Sequence, residues 1–242
     1  MTARPDRPVL DGLDDLDELV LDDPVGHALR GPHAHLARRH GAALAYAPEV
    51  AAFAAVPGAP TGADWADLGR LHGAGAFVEV FIASAAPPSS WARELDLAGF
   101  QMVATAATPV VAADPAVEVL GPADVPEMLD LAARTRPGPF FVRTIEMGTY
   151  VGIREAGVLV AMAGERVRPP GATEISAVCT APEARGRGLA SRVVLDVATR
   201  IRARGDQPFL HVVDGNPARH VYERLGFEVR RPVRFRGYRV PS

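Results

Sequence analysis

The spacing of apolar and polar positions divides the chain at a small-residue, proline-rich stretch around residues 108–122, TPVVAADPAVEVLGP. Beyond it the elements are sharply drawn. Residues 117–120 predict a strand, and residues 123–134 a helix with Met128, Leu129, Leu131 and Ala132 on its apolar side. Residues 150–154 and 158–165 flank Glu155-Ala156-Gly157, a hairpin whose glycine supplies the positive φ of a tight turn. Residues 174–180 predict a strand, 188–204 a helix closed by Gly205, and 209–213 another strand. Residues 216–225 predict a helix with Asn216 as its cap, Pro217 at its first position and Gly226 just past its end. Short strands at 227–229 and 235–240 complete an α/β sandwich around one mixed sheet.

Before the boundary the pattern is weaker and reads as a smaller α/β unit. A strand is expected at 42–46, a helix at 63–72 with Thr61 or Asp64 near its start, and an alternating strand at 77–82, FVEVFI. Residues 89–98 predict a short helix capped by Ser89 or Ser90, followed by a strand at 101–104. The acidic stretch 11–23, with Leu13, Leu16, Leu19 and Val20 at helical spacing, predicts an amphipathic helix with a solvated face. The expected domains are therefore residues 1–113 and 114–242.

Composition narrows the function classes. Hydrophobic residues are 48% and charged residues 23%, as in a soluble globular protein, and the net charge of −3 argues against nucleic acid as a partner. The 26 basic residues are all arginine. One cysteine, Cys179, leaves no internal disulfide framework and no cysteine-rich zinc site. The acidic N-terminal stretch lacks the apolar core of a secretory signal, and no run approaches the ~18 apolar residues of a membrane span. A cytoplasmic protein without a membrane partner is expected.

The chemistry concentrates in ATEISAVCTAPEARGRGLASRVVLDVATRIRARG. A strand runs into an Arg/Gly turn that opens directly into a helix with Leu189, Val193, Val194, Val197 and Ile201 as its docking stripe. Gly186 and Gly188 let backbone N–H groups approach a ligand, the helix start adds unpaired donors and positive dipole, and Arg185 and Arg187 add charge. This is an anion site suited to a phosphate or pyrophosphate. Ser191 stands where the dinucleotide fingerprint needs a third glycine or alanine, and the P-loop lysine is absent. A plain structural turn stays open on these residues alone.

Arg185-Gly186-Arg187-Gly188-Leu189-Ala190 resembles the acetyl-CoA signature of the GNAT superfamily of N-acetyltransferases. Downstream, PFLHVVDGNPARHVYERLGFEVR places Asn216, Tyr222, Leu225, Gly226 and Phe227 in the order of the second half of that signature. The resemblance covers residues 116–242, and with its divergent N-terminal half the chain resembles the two-domain, glycine N-acyltransferase-like branch.

The resemblance implies a GNAT fold, a mixed and mostly antiparallel sheet flanked by helices, in the C-terminal half, with the N-terminal half as a degenerate copy. It implies acetyl-CoA or another short acyl-CoA as co-substrate, no metal, and transfer to a small-molecule amine by direct attack in a ternary complex. Backbone groups at Val178, Cys179 and Thr180 would hold pantetheine, and Arg185, Gly186, Arg187, Gly188, Leu189 and Ala190 the pyrophosphate. Asn216 and Tyr222 would flank the thioester, with Tyr222 as the acid for the leaving thiolate and Glu174 as the general base. The competing function is a catalytically silent acyl-CoA sensor on the same scaffold.

Other residues have plainer readings. Strict alternation puts Glu174, Ser176, Val178 and Thr180 on one strand face and Cys179 on the other, as a small buried hydrophobe. His211 and His220 read as packing or surface residues. His33, His35 and His40 lack a carboxylate or cysteine to complete a metal set. The C-terminal arginines 230, 231, 234, 236 and 239 read as the exposed face of an edge strand, or as an attraction for an acidic substrate or the CoA 3′-phosphate.

Overall fold

The computed structural model describes residues 18–81 and 86–242. Two short helices, α1 (Glu18–Asp22) and α2 (Pro24–Arg30), come first. The helix expected over 11–23 lies outside the described residues as far as residue 17. Then follow β1 (Ala37–His40), β2 (Ala43–Tyr46), β3 (Phe53–Ala55), α3 (Gly62–His72), β4 (Phe77–Phe81) and β5 (Ala92–Ala104). The second half runs β6 (Glu118–Leu120), α4 (Val125–Thr135), β7 (Tyr150–Glu155), β8 (Val158–Glu165) and β9 (Ala172–Thr180). It ends with α5 (Leu189–Ala203), β10 (Gln207–Val213), α6 (Ala218–Arg224) and β11 (Phe227–Arg239).

The described strands form one sheet in the order β1-β2-β3-β4-β11-β5-β10-β9-β8-β7-β6. Both halves follow the same plan. An antiparallel hairpin, β1–β2 or β7–β8, is extended by an antiparallel strand, β3 or β9, and a helix then crosses to a parallel strand, β4 or β10. Each half then lends its last strand to the other: β5 pairs with β10, and β11 pairs with β4. The two exchanged strands also pair with each other through the middle of the sheet. The expected segments 1–113 and 114–242 thus contribute to a common sheet.

Helices cover the sheet where their apolar stripes allow. α5 buries Leu189, Val193, Val194, Val197, Ala198 and Ile201, each worth up to about 1.5–3 kcal/mol for the large aliphatics. That stripe, with Met128 and Leu131 of α4, forms a core against β7 to β10. α3 buries Trp65, Leu68 and Leu71 against the N-terminal strands, and Thr61 and Asp64 close its start as a capping box. No described helix is long and apolar enough to cross a membrane.

Two expectations fail in the exchanged strands. Residues 89–98 are not a helix: Ala92–Ala104 is one continuous strand, paired with β11 over most of its length and with β10 from Gly99 to Val103. Over Ala92–Ala98 the ladder with β11 outweighs the local helical spacing of Trp91, Leu95 and Leu97. Likewise 227–229 and 235–240 are parts of one strand, bulged between Val229 and Arg231. Pro232 sits just past that bulge, before the pairing with β4 begins at Phe235, so on that side its missing N–H breaks no described ladder.

β11 is therefore a central strand, and its arginines have partners. Arg234 bonds Asp96 at 2.6 Å, Arg239 bonds Glu94 at 2.8 Å, and Arg230 and Arg231 reach Asp22 at 2.7 and 3.2 Å. These ion pairs stitch β11 to β5 and to α1. Neither an edge strand nor a free phosphate patch describes them.

Gly226 shows how tightly the exchange is fastened. Its carbonyl accepts hydrogen bonds from the Thr105 and Thr108 hydroxyls at 2.9 and 2.8 Å, just past the end of β5. Its φ is +84°, and an added Cβ would stand 2.5 Å from the backbone nitrogen of Thr108. Gly226→Ala is expected to cost about 2–4 kcal/mol, combining left-handed strain with a backbone clash, read as a lower urea midpoint at unchanged m.

Candidate active site

The site begins where two parallel strands part. β9 and β10 pair from Ala172↔Gln207 to Ile175↔Leu210 and no further. Beyond that point β9 stays with β8, through Met162↔Cys179 and Ala161↔Thr180, while β10 stays with β5 through Val212↔Phe100 and Val213↔Gly99. Each strand thus keeps its outer ladder and leaves its inner edge bare. A cavity of about 890 Å³ opens in the fork, lined by both inner edges. Bare edges offer N–H and C=O groups to an extended, amide-bearing ligand.

β9 bends away through a bulge. Gly164 faces Ser176 and Met162 faces Cys179, so three steps on β9 match two on β8. Ala177 takes the strain with φ at +52°. Strict alternation does not carry across this residue, which corrects the expected face of Val178, Cys179 and Thr180. All three line the cavity, and Thr180 Oγ1 is buried with no hydrogen-bond partner among the described residues.

The anion loop is built as its residues require. Gly186 and Gly188 both have φ of +75°, and a Cβ at either would meet nothing within 4 Å, so the space before the backbone is open. α5 starts at Leu189 with no side-chain cap, leaving its first N–H groups and dipole directed at the cavity mouth. Arg185, Gly186, Gly188, Leu189 and Ala190 line the cavity. Arg187 does not: it forks onto Glu155 of the β7–β8 turn at 2.8 and 2.6 Å. It braces the loop from behind, which corrects its expected place among the phosphate ligands.

Asn216 and Tyr222 line the same cavity. The Asn216 side-chain oxygen accepts from the Ala218 N–H at 2.9 Å, opening α6. Tyr222 is 7% exposed, stacks edge-on with Phe227, and its hydroxyl has no partner among the described residues. Burial, aided by nearby Cys179, pushes the phenol up to about 12, so the group is a proton donor at neutral pH. Burial also pushes the Cys179 thiol up to about 11, which leaves it unsuited as a nucleophile.

Glu174 is the main departure. Its side chain is fully buried and does not line the cavity. Arg166 forks onto it at 2.9 and 2.6 Å, and His211 Nδ1 lies 2.7 Å from it. Burial alone would raise its pKa, but the Arg166 charge and the His211 and Arg166 hydrogen bonds outweigh this and hold it at about 2. A carboxylate so stabilised is a weak base. His211 is also occupied, with Nε2 3.1 Å from the Gln101 amide nitrogen, and its pKa is lowered chiefly by burial. The structure brings together all the expected site residues except Arg187 and Glu174. The sequence reading missed Arg166 and Glu79, which line the cavity from its other side. A glutamate inside FVEVF was the available signal.

The histidine-rich stretch has structural partners. His33 is buried with Nδ1 2.8 Å from the Tyr46 hydroxyl, and His40 faces Asp67 at 3.6 Å. Among the described residues no group of three or more His, Cys, Asp or Glu side chains could hold a metal ion.

The FR47-like protein family matches residues 150–236, which span the fork, the loop and most of β11. A GNAT-family structure from Novosphingobium aromaticivorans is 38% identical, with a TM-score of 0.81 over 90% of this chain and 97% of that one. The chain belongs to the GNAT family. A GCN5-related N-acetyltransferase from Kribbella flavida shares the fold at 18% identity, with a TM-score of 0.62 over 92% of this chain and 96% of its own. A Staphylococcus epidermidis protein of unknown function aligns with a TM-score of 0.53 at 11% identity. A search of curated proteins gives no match. In this GNAT protein, as in the Novosphingobium and Kribbella structures, the likeness extends well beyond the C-terminal half.

Replacing Glu174 with glutamine removes the carboxylate that Arg166 and His211 share in this interior, at an expected cost of about 3–5 kcal/mol at pH 7. The folded-state pKa lies below the ordinary 4.5, so the contribution is full above that value and fades as pH falls towards 2. Urea unfolding of both proteins between pH 3 and 7 should show the gap narrowing at the acid end. A gap independent of pH would rule out an ionised Glu174.

Proposed function

We propose that this protein is an acyl-CoA-dependent N-acyltransferase that moves an acetyl or other short acyl group to a small primary amine. The observation that carries this reading is the single cavity into which the uncapped α5 loop, the bare fork edges and the Tyr222 hydroxyl all open. Acetyl-CoA supplies an acyl thioester, whose carbonyl is open to attack by an amine. The N–H groups at Gly186–Ala190 would hold its pyrophosphate, with Arg185 adding charge. The inner edge of residues 178–180 and the unpaired Thr180 hydroxyl would hold the pantetheine amides.

Attack on the thioester builds negative charge on the carbonyl oxygen and then on sulfur. A backbone N–H of the bulged strand supplies the donor for the first, and the protonated Tyr222 hydroxyl for the second. The protonated thiol of Cys179 supports direct transfer in a ternary complex, without an acyl-enzyme. The N-terminal half reads as a degenerate copy of the same unit, in keeping with the two-domain, glycine N-acyltransferase-like branch. Its helix α3 is closed by the Thr61–Asp64 capping box, so it presents acid where α5 presents open donors. One donor site per chain follows. A cytoplasmic location suits both the co-substrate and the single reduced cysteine.

The test is thiol release from acetyl-CoA across a panel of primary amines. Saturable acetyl-CoA binding without release for any amine would sink the enzyme reading. Tyr222→Phe should lower kcat about 100-fold and leave the KM for acetyl-CoA within about twofold. An unchanged kcat would remove Tyr222 from the proton-donor role.

A further inference from the structure

We propose that Glu79, carried into the cavity by β4 of the N-terminal half, receives the ammonium group of the acceptor and takes its proton, and that the acceptor is a small amine with an apolar body. The assignment rests on the acyltransferase reading and names its acceptor side.

β4 alternates. Val78 and Val80 are buried in the core beneath α3, and Glu79 points the other way. Glu79 is 6% exposed and lines the cavity, yet its carboxylate has no hydrogen bond or ion pair among the described residues. A carboxylate buried without a partner is costly to keep, and the cost is recovered when a cation arrives. Among the described residues lining the cavity, Glu79 is the one carboxylate.

The neighbouring charges are already committed. Arg166 forks onto Glu174 and lies over the Phe53 ring at 4.8 Å, and His211 is bonded through both nitrogens. β3 brings no titratable side chain, and the β11 residue opposite Glu79 is Gly237. Burial raises Glu79 to about 7, with Arg166 drawing it down and Glu174 pushing it up. Near neutrality it can therefore both bind an ammonium ion and hold its proton. Around it stand Phe53, Leu95, Leu97 and Phe235, an apolar wall suited to a hydrocarbon body.

The protons balance. The ammonium ion gives one proton to Glu79, which passes it to solvent. The free amine then forms the C–N bond as the C–S bond breaks, and Tyr222 protonates the departing thiolate. The second nitrogen proton restores the Tyr222 hydroxyl.

The experiment compares wild type, Glu79→Gln and Glu79→Asp with 2-phenylethylamine and ethanolamine as probes. Calorimetry on the CoA-bound protein should show 2-phenylethylamine binding weakened at least tenfold in Glu79→Gln. Turnover should show kcat/KM for that amine at least 100-fold lower, an unchanged KM for acetyl-CoA, and partial recovery in Glu79→Asp. The wild-type rate should rise with pH through about 7, and Glu79→Gln should lose that limb. Wild type should prefer 2-phenylethylamine to ethanolamine at least tenfold. Equal amine binding and equal turnover in wild type and Glu79→Gln, with acetyl-CoA binding intact, overturn the role of Glu79. Preference for ethanolamine overturns the apolar acceptor. Failure of wild type to bind acetyl-CoA overturns the donor reading instead.

Discussion

The buried ion pair between Arg166 and Glu174 is the constraint on which the rest of the site depends. Neither charge could stand in this interior alone, since an uncompensated buried ion costs several kcal/mol. Arg166 follows β8, Glu174 lies in β9, and His211, the third partner, lies in β10. The cluster therefore ties together three strands at the last parallel pairs before the fork. Gln101 continues it to β5 and to the Leu21 carbonyl, and Arg230 joins Gln101 to Asp22. Fixed polar geometry at this level lets β9 and β10 diverge just above it without sliding.

The exchange of β5 and β11 supplies the second constraint. A parallel fork has bare inner edges, so its arms must be held from outside. β8 holds one arm, but β10 is held by β5, a strand from the other half of the chain. The reciprocal strand, β11, connects the N-terminal strands to the middle of the sheet. Binding geometry in the C-terminal half is thus maintained by the N-terminal half, and β4, carrying Glu79, reaches the cavity through this connection. The fold explains why the site draws residues from positions 53 to 235 of the chain.

Legibility in the sequence followed the range of the interactions. The hairpin at 155–157, the α5 stripe, the glycine loop and the capped α3 are set by residues within a turn or two of each other, and all were readable. The β5 strand was not, because WARELDLAGF has helical spacing and only a partner distant in sequence, β11, makes it extended. The bulge at Ala177 left no local mark, since alanine rather than glycine carries the positive φ. Glu174 was readable as a residue of the site region but not as an ion-paired one. Its partners Arg166 and His211 are 8 and 37 residues away, and nothing in their local patterns points to it.

The same pair also divides acid and base chemistry between two carboxylates. Glu174 and Glu79 are both buried, so burial drives both towards the neutral form. What separates them is direct contact with Arg166 and His211, which Glu174 has and Glu79 lacks. Glu174 receives the Arg166 guanidinium directly and remains ionised, whereas Glu79 feels that charge without a hydrogen bond, and Glu174 opposes it. One carboxylate is thereby fixed as a strut and the other is left poised to titrate near neutrality. Arg166 acts on both: with His211 it holds Glu174 ionised, while its pull on Glu79 is opposed by burial and by the Glu174 charge. The residue that stabilises the fork is therefore also the residue that leaves a proton acceptor available beside it.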